Sequence, residues 1–162
     1  MPLPERYNTG YNVGVGGAVV QDGKLLLVRR ASRRGRGNWQ IPGGFIEPDE
    51  TMELAVVREV AEEAGVQAEV IGVLGIRSRY NPDGGNSIYV VLLMRPIAGE
   101  PTPDMLEVYR AGYFSLEEVE GLEQVPPINL EVAKRALAAD HRLLAPEKVL
   151  GPVGALYTLF IG

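Results

Sequence analysis

The chain has 162 residues, 46% of them hydrophobic and 23% charged, which is an ordinary composition for a single globular domain with a sizeable core. Its formal net charge of −5 argues against a general binder of nucleic acids or of anionic membranes. Cysteine is absent, and this excludes disulfides, thiolate metal sites and cysteine nucleophiles.

The first ten residues are polar and interrupted by Pro2 and Pro4. They predict an irregular lead-in over residues 1–10 and no signal peptide. No apolar run reaches the length that a membrane span needs. We therefore expect a cytoplasmic protein without a membrane partner.

The first predicted strands form a hairpin. Residues 13–20 are apolar, glycine-rich and β-branched, and Gln21-Asp22-Gly23-Lys24 follows them. Asp-Gly between two apolar runs is a strong hairpin signal, so residues 25–28 are the expected return strand. Next comes a basic segment with Gly35 and Gly37, which indicates a mobile loop. Its arginines are Arg29, Arg30, Arg33, Arg34 and Arg36.

Residues 44–66 read GFIEPDETMELAVVREVAEEAGV and predict a helix, entered through a tight loop at residues 39–44. Pro48, Asp49 and Glu50 suit a first turn, and Gly65 suits a helix end. The face expected to be buried comprises Leu54, Val57, Ala61 and Ala64.

The opposite face of this helix is acidic. Glu59, Glu62 and Glu63 are spaced i, i+3 and i+4, so they share one face and repel one another. Arg58 compensates only part of this charge. Mg²⁺ would compensate the rest, since it favours a few carboxylates together with substrate phosphates. For Glu62-Glu63 alone, a solvated surface helix is the more common explanation.

The second half of the chain predicts further strands and two helical segments. Strands are expected at residues 68–76, 87–94 and within 106–114, with a turn at 81–86 and a loop at 96–103. Ser115 and Glu118 form a capping-box pattern, and Asn129 is a plausible N-cap for a helix over residues 129–137. This order of elements predicts an α/β fold with a mixed sheet and helices on its faces.

One pattern in the chain resembles the signature of a known family. Gly44, five residues, Glu50, seven residues and then Arg58-Glu59-Val60-x-Glu62-Glu63-x-Gly65-Val66 match the Nudix hydrolase box at every specified position. The resemblance implies a Nudix-type α/β/α sandwich with a central mixed β-sheet, as a single domain over residues 1–162. It also implies Mg²⁺-dependent hydrolysis, with Mn²⁺ as an alternative ion. The implied substrate is the diphosphate linkage of a nucleoside diphosphate derivative, either ADP-ribose-like or a nucleoside triphosphate.

The resemblance also assigns roles to residues. The implied metal ligands are the carbonyl of Gly44 and the carboxylates of Glu59, Glu62 and Glu63. Arg58 is expected to organise the acids, and Glu50 to anchor Arg58 or to assist the metal-bound water. The general base is left open between Glu63, Glu59 and the external candidate Glu107, which an ordinary surface position explains equally well.

Candidates for substrate binding lie around this box. Arg29 or Arg30 could reach a phosphate, with simple solvation of a strand end as the alternative. Trp39 could stack a base, although packing in the core is favoured because large aromatics are usually buried. Arg79 and Tyr80 are further candidates for a base pocket.

Two alternatives and one unexplained segment complete the interpretation. A Nudix-fold module that binds a nucleotide or metabolite without cutting it is the alternative function, and a purely structural domain would leave the acidic face unexplained. Residues 143–162 are oddly apolar for a terminus. We expect this tail to dock on its own domain or on a partner subunit, such as a second copy in a homodimer.

Overall fold

The computed structural model describes residues 11–32, 35–80, 86–151, 154 and 156–162. Arg33, Arg34 and most of the turn predicted at 81–86 lie outside this part of the chain. The strands are β1 (Asn12–Gln21), β2 (Lys24–Arg30), β3 (Trp39–Gln40), β4 (Gly43–Phe45), β5 (Gln67–Arg79), β6 (Ser87–Ala98), β7 (Val108–Phe114), β8 (Ala145–Leu150) and β9 (Leu156–Ile161). The helices are α1 (Met52–Ala64), α2 (Leu116–Gly121) and α3 (Pro127–Ala136).

Seven strands form the mixed sheet that the order of elements predicts. The central path is β3-β2-β1-β6-β5, with β4 paired to β1 and β7 paired to β2. β1 runs parallel to β6, and the other pairings of this sheet are antiparallel. The predicted hairpin is confirmed, because Asp22 and Gly23 turn with φ of 51° and 72° between β1 and β2.

Helices cover both faces of the sheet. Leu26 packs in the cluster that contains Val56 and Val60 of α1, whereas its neighbour Leu27 packs with Val119 of α2 and Val132 of α3. Successive side chains of a strand point to opposite faces, so two core layers flank one sheet. This arrangement confirms the α/β/α sandwich. No helix in the described part of the chain combines the length and apolar character that spanning a bilayer requires.

Helix α1 begins later than predicted and ends where predicted. Its N-cap is Thr51, whose hydroxyl accepts a hydrogen bond from Leu54 N at 3.3 Å. The prediction that Pro48 and Glu50 lie in the first turn is therefore wrong. The predicted end is confirmed, because Gly65 adopts φ of 68°, a conformation that favours glycine.

The buried face of α1 is rotated from the predicted one and shares only Ala64 with it among the fully buried residues. Leu54 is 59% exposed and Val57 is 36% exposed. The helix instead rests on Gly17 of β1, where an added Cβ would lie 2.6 Å from Val60 Cγ2. The side chains that this rotation buries are those of Ala55, Val56, Val60, Glu63 and Ala64. Contact with the glycine decided the rotation, and it carries an acidic residue into the interior.

Two other predictions need correction. Residues 39–44 were expected to be a loop, yet they contribute the short strands β3 and β4. Asn129 is not an N-cap. Helix α3 starts at Pro127, whose fixed φ suits a first turn, and the buried amide of Asn129 accepts a hydrogen bond from Ile41 N at 3.0 Å. The cap at Ser115 is confirmed, since its hydroxyl accepts from Glu118 N at 3.1 Å.

The apolar tail folds as a hairpin of β8 and β9, separate from the main sheet. Leu144 and Val73 exchange backbone hydrogen bonds of 2.9 and 3.1 Å, which fasten the start of the hairpin to β5. Phe160 of β9 packs against the core cluster on the α1 face. The tail therefore contacts its own domain, which is one of the two predicted alternatives.

Candidate active site

Two carboxylates of α1 lie against the backbone of β4. Glu63 is only 3% exposed, and its Oε2 accepts a hydrogen bond from Gly43 N at 3.3 Å. The carboxylate of Glu59 fills the space where a side chain at Gly44 would begin, so a Cβ there would collide with it. Glycine at this position therefore lets Glu59 approach the strand closely.

Arg58 holds the acidic side chains around it. Its Nε and Nη2 donate to the two oxygens of Glu50 at 2.9 and 2.6 Å, a bidentate pair. Its Nη1 donates to Glu59 Oε1 at 2.9 Å and to Glu62 Oε2 at 3.2 Å. The hydrogen bonds from Arg58 are the main reason why the pKa of Glu50 falls to about 2, and in return Glu50 raises the pKa of Arg58. Arg58 thus fixes the orientation of Glu59.

The side chains of the three predicted metal ligands on the helix do not converge on one point. The side chain of Glu62 is 59% exposed and turns toward Arg58. Within the described residues, no group of three or more acidic or histidine side chains is gathered closely enough to hold a metal ion. The assignment of Glu59, Glu62 and Glu63 as joint metal ligands therefore stays a prediction. The physical reason for the position of Glu62 is that Arg58, one helical turn away, offers it an ion pair, while Glu59 repels it.

The electrostatics around Glu63 nevertheless suit a cation. Burial raises the pKa of Glu63 to about 8, and the charge of Glu59 adds to this shift. Burial likewise raises the pKa of Glu59, despite the opposing hydrogen bond from Arg58. The charge of Glu107 raises the pKa of Glu59 and that of Glu63, which indicates that Glu107 lies near these two acids. Hard oxygen donors with excess negative charge, beside the glycine backbone, fit Mg²⁺ or Mn²⁺.

A pocket of about 510 Å³ adjoins this site on the α3 face of the sheet. Its lining includes Gly43, Gly44, Arg77, Arg79 and Tyr89 of β6.

The position of Tyr89 in the pocket depends on glycines in β1. The ring of Tyr89 lies across Gly14 and Gly16, and a Cβ on Gly16 would collide with its hydroxyl. Sequence reasoning missed Tyr89 and Arg77 as pocket residues. The alternating glycines of β1 were the available signal, because a strand that lacks side chains invites close approach by another group.

The structure brings only some of the predicted substrate residues to this pocket. Arg30 and Arg79 line it, whereas Tyr80 is exposed and does not. Trp39 is 8% exposed and packs edge-on against Phe114 at 5.0 Å between ring centroids, so its core alternative applies.

Arg29 also makes its contacts outside the pocket. Its Nε donates to the carbonyl of Gly37 at 2.9 Å, and its guanidinium lies 5.7 Å from the ring centroid of Trp39 and 5.6 Å from that of Tyr109. These contacts agree with the core packing favoured for Trp39 over base stacking, and they engage the Arg29 guanidinium with the protein's own groups instead of the pocket.

The raised pKa of Glu63 predicts a pH dependence of folding in metal-free protein. Its folded pKa of about 8 exceeds the ordinary value of 4.5, so the folded state holds the proton more tightly. This contribution to stability is complete below the ordinary value and is lost as pH rises through the folded value. We expect the Tm of chelator-treated protein to fall between about pH 5 and about pH 8, and to fall less in Glu63→Gln. Equal slopes for the two proteins in thermal melts would contradict this assignment.

Comparisons with known proteins agree with this architecture. An ADP-ribose pyrophosphatase from Methanocaldococcus jannaschii is 40% identical over 89 residues, which cover 54% of this chain and 53% of that protein. The chain thus spans about half the length of this archaeal relative. A MutT-like protein from Streptomyces ambofaciens is 32% identical over 130 residues, which cover 72% of this chain and 80% of the relative.

A solved structure and a family model extend the comparison. A MutT NUDIX hydrolase from Burkholderia pseudomallei superposes with a TM-score of 0.66 at 29% identity, over 76% of this chain and 95% of that one. The model described as NUDIX domain matches residues 10–138, a span that contains the helix α1, the strand β4 and the pocket-lining residues. The matching architecture and this family match together show that the chain belongs to the Nudix family.

Proposed function

We propose that the protein is a metal-dependent pyrophosphohydrolase that cuts the diphosphate linkage of a nucleoside diphosphate derivative. The observation that carries this proposal is the burial of Glu59 and Glu63 against Gly43 and Gly44, the two glycines that also line the pocket. The name of the archaeal ADP-ribose pyrophosphatase supports the same type of reaction.

Glu59 and Glu63 would hold the metal ion, with the carbonyl of Gly44 as a further oxygen donor. Glu62 shares their helix face and is exposed, so it remains a candidate donor. A bound Mg²⁺ or Mn²⁺ ion neutralises the charge on a diphosphate and lowers the pKa of a bound water.

Other residues would orient the acids and move the proton. Arg58 acts as a positioning residue, because it holds Glu59 from one side while Glu50 fixes the guanidinium. Glu63 is the leading candidate for the general base, and Glu107 is the external candidate whose charge acts on both buried acids. Arg30, which lines the pocket, would bind a phosphate of the substrate.

The test is a substrate panel with and without metal. ADP-ribose and nucleoside triphosphates should be cleaved to monophosphates in Mg²⁺ or Mn²⁺, and excess chelator should stop turnover until metal is restored. AMP has no anhydride bond and is the matched control, which should stay intact. Metal-dependent binding of these nucleotides without any cleavage would overturn the proposal in favour of a binding module.

A further inference from the structure

Two arginines of β5 share one side of the pocket with two residues of β6. Arg77 is directly opposite Tyr89, and Arg79 is directly opposite Ser87, in the antiparallel register of these strands. Residues two apart in a strand point to the same face, so the four side chains form one cross-strand group. All four line the pocket of about 510 Å³.

Arg77 is held in place but is not neutralised. Its guanidinium lies 5.0 Å from the centroid of the Tyr89 ring, and its Nη2 donates to Ser87 Oγ at 3.2 Å. Its Nε is buried and has no hydrogen-bond partner among the residues that the structure describes. A buried donor of this kind requires an explanation, since such groups are nearly always paired in native proteins.

No described carboxylate forms an ion pair with either of these arginines, Arg77 and Arg79. Burial lowers the pKa of Arg77, and the neighbouring charge of Arg79 lowers it further. Two adjacent guanidinium groups without a carboxylate favour an anion between or beside them.

The pocket connects these arginines with the acidic site. Gly43 and Gly44, which contact Glu63 and Glu59, line the same pocket as Tyr89 and the two arginines. A diphosphate beside the glutamates and an anion beside the arginines could therefore belong to one molecule that crosses the Tyr89 ring.

We propose that Arg77 and Arg79 bind a phosphoryl group that the substrate carries in addition to its scissile diphosphate. The inference rests on the proposed function, and it narrows the substrate class to triply phosphorylated nucleotides. The additional group is either the terminal phosphate of a nucleoside triphosphate or a phosphate on the sugar. Arginine recognises both through the same paired N–H donors.

The experiment compares substrates that differ in this group alone or nearly so. We would measure kcat/KM of wild type and Arg77→Gln for ATP, for ADP-ribose 2′-phosphate and for ADP-ribose, with Mg²⁺ present. Arg95→Gln is the matched control, because Arg95 is an exposed arginine of β6 that pairs with Glu69 and does not line the pocket.

The expected result is a change in preference. In Arg77→Gln, kcat/KM relative to ADP-ribose should fall about tenfold or more for one triply phosphorylated substrate, with the ratio kept in Arg95→Gln. A fall for ATP identifies the terminal phosphate, and a fall for ADP-ribose 2′-phosphate identifies the sugar phosphate. Arg77→Lys, which keeps the charge, should restore part of the preference. Unchanged ratios, or equal losses for all three substrates, would overturn the inference and would point to recognition of the base.

A binding measurement separates this inference from the proposed function. If wild type cleaves none of the three substrates, the proposed function fails. Calorimetry with inorganic tripolyphosphate and metal-free protein then still tests the arginines. A Kd about tenfold weaker for Arg77→Gln than for wild type supports the inference, and equal affinities overturn it. Thermal melts of each variant establish that the comparison is made between folded proteins.

Discussion

Glu63→Gln should reduce kcat on the order of 10³-fold. The substitution replaces a carboxylate that is both a proposed metal donor and the leading candidate for the general base. The side chain keeps its shape, and its remaining oxygen can still accept the hydrogen bond from Gly43 N. Steady-state kinetics in Mg²⁺ would measure the loss. Glu53→Gln is the matched control, because Glu53 lies in the first turn of the same helix.

Glu63→Gln should still fold, and the buried position of Glu63 in the tertiary structure explains why. The sequence alone suggested that Glu63 faces solvent, whereas it is buried and its pKa is raised to about 8. Removing a buried charge relieves a desolvation cost, so the metal-free variant should melt at the same temperature as wild type or higher at about pH 8. Wild-type turnover in a folded Glu63→Gln would refute the proposed role of Glu63.

Arg58→Lys should reduce kcat/KM about 10- to 100-fold although it keeps the positive charge. Arg58 serves three carboxylates at once, because its Nε and Nη2 donate to Glu50 while its Nη1 donates to both Glu59 and Glu62. A lysine ammonium cannot reproduce this planar fork, so Glu59 would lose its fixed orientation. Glu50 would also lose the bonds that hold its pKa near 2.

The measurement for Arg58→Lys must separate positioning from simple unfolding. We expect kcat to fall more than KM rises, and the apparent affinity for Mg²⁺ to weaken in a titration of activity. Arg135→Lys is the control, since Arg135 is an exposed residue in the last turn of α3. A variant with normal metal affinity and a normal kcat would show that the bidentate geometry is dispensable.

Several features of the fold were predicted from local sequence patterns. The Asp22-Gly23 turn, the end of α1 at Gly65 and the cap at Ser115 depend on residues that are close in sequence, and all three were predicted correctly. The role of Asn129 was predicted wrongly and the packing partner of Trp39 was not predicted, because both partners are distant in sequence. The amide of Asn129 satisfies the backbone of Ile41, 88 residues away, and Trp39 packs against Phe114. Such contacts leave no local signal.

The acidic face of α1 is a property of the sequence by itself, because helical geometry alone puts Glu59, Glu62 and Glu63 on one side. The tertiary structure decided how that face is used. Gly17 and Gly44, from two different strands, set the rotation of the helix and the approach of Glu59, so Glu63 became buried while Leu54 stayed exposed. The pocket was decided in the same way, since strand register is what puts Arg77 opposite Tyr89. Residue spacing determines which groups a helix can present together, and only packing against remote backbone determines which of them meet.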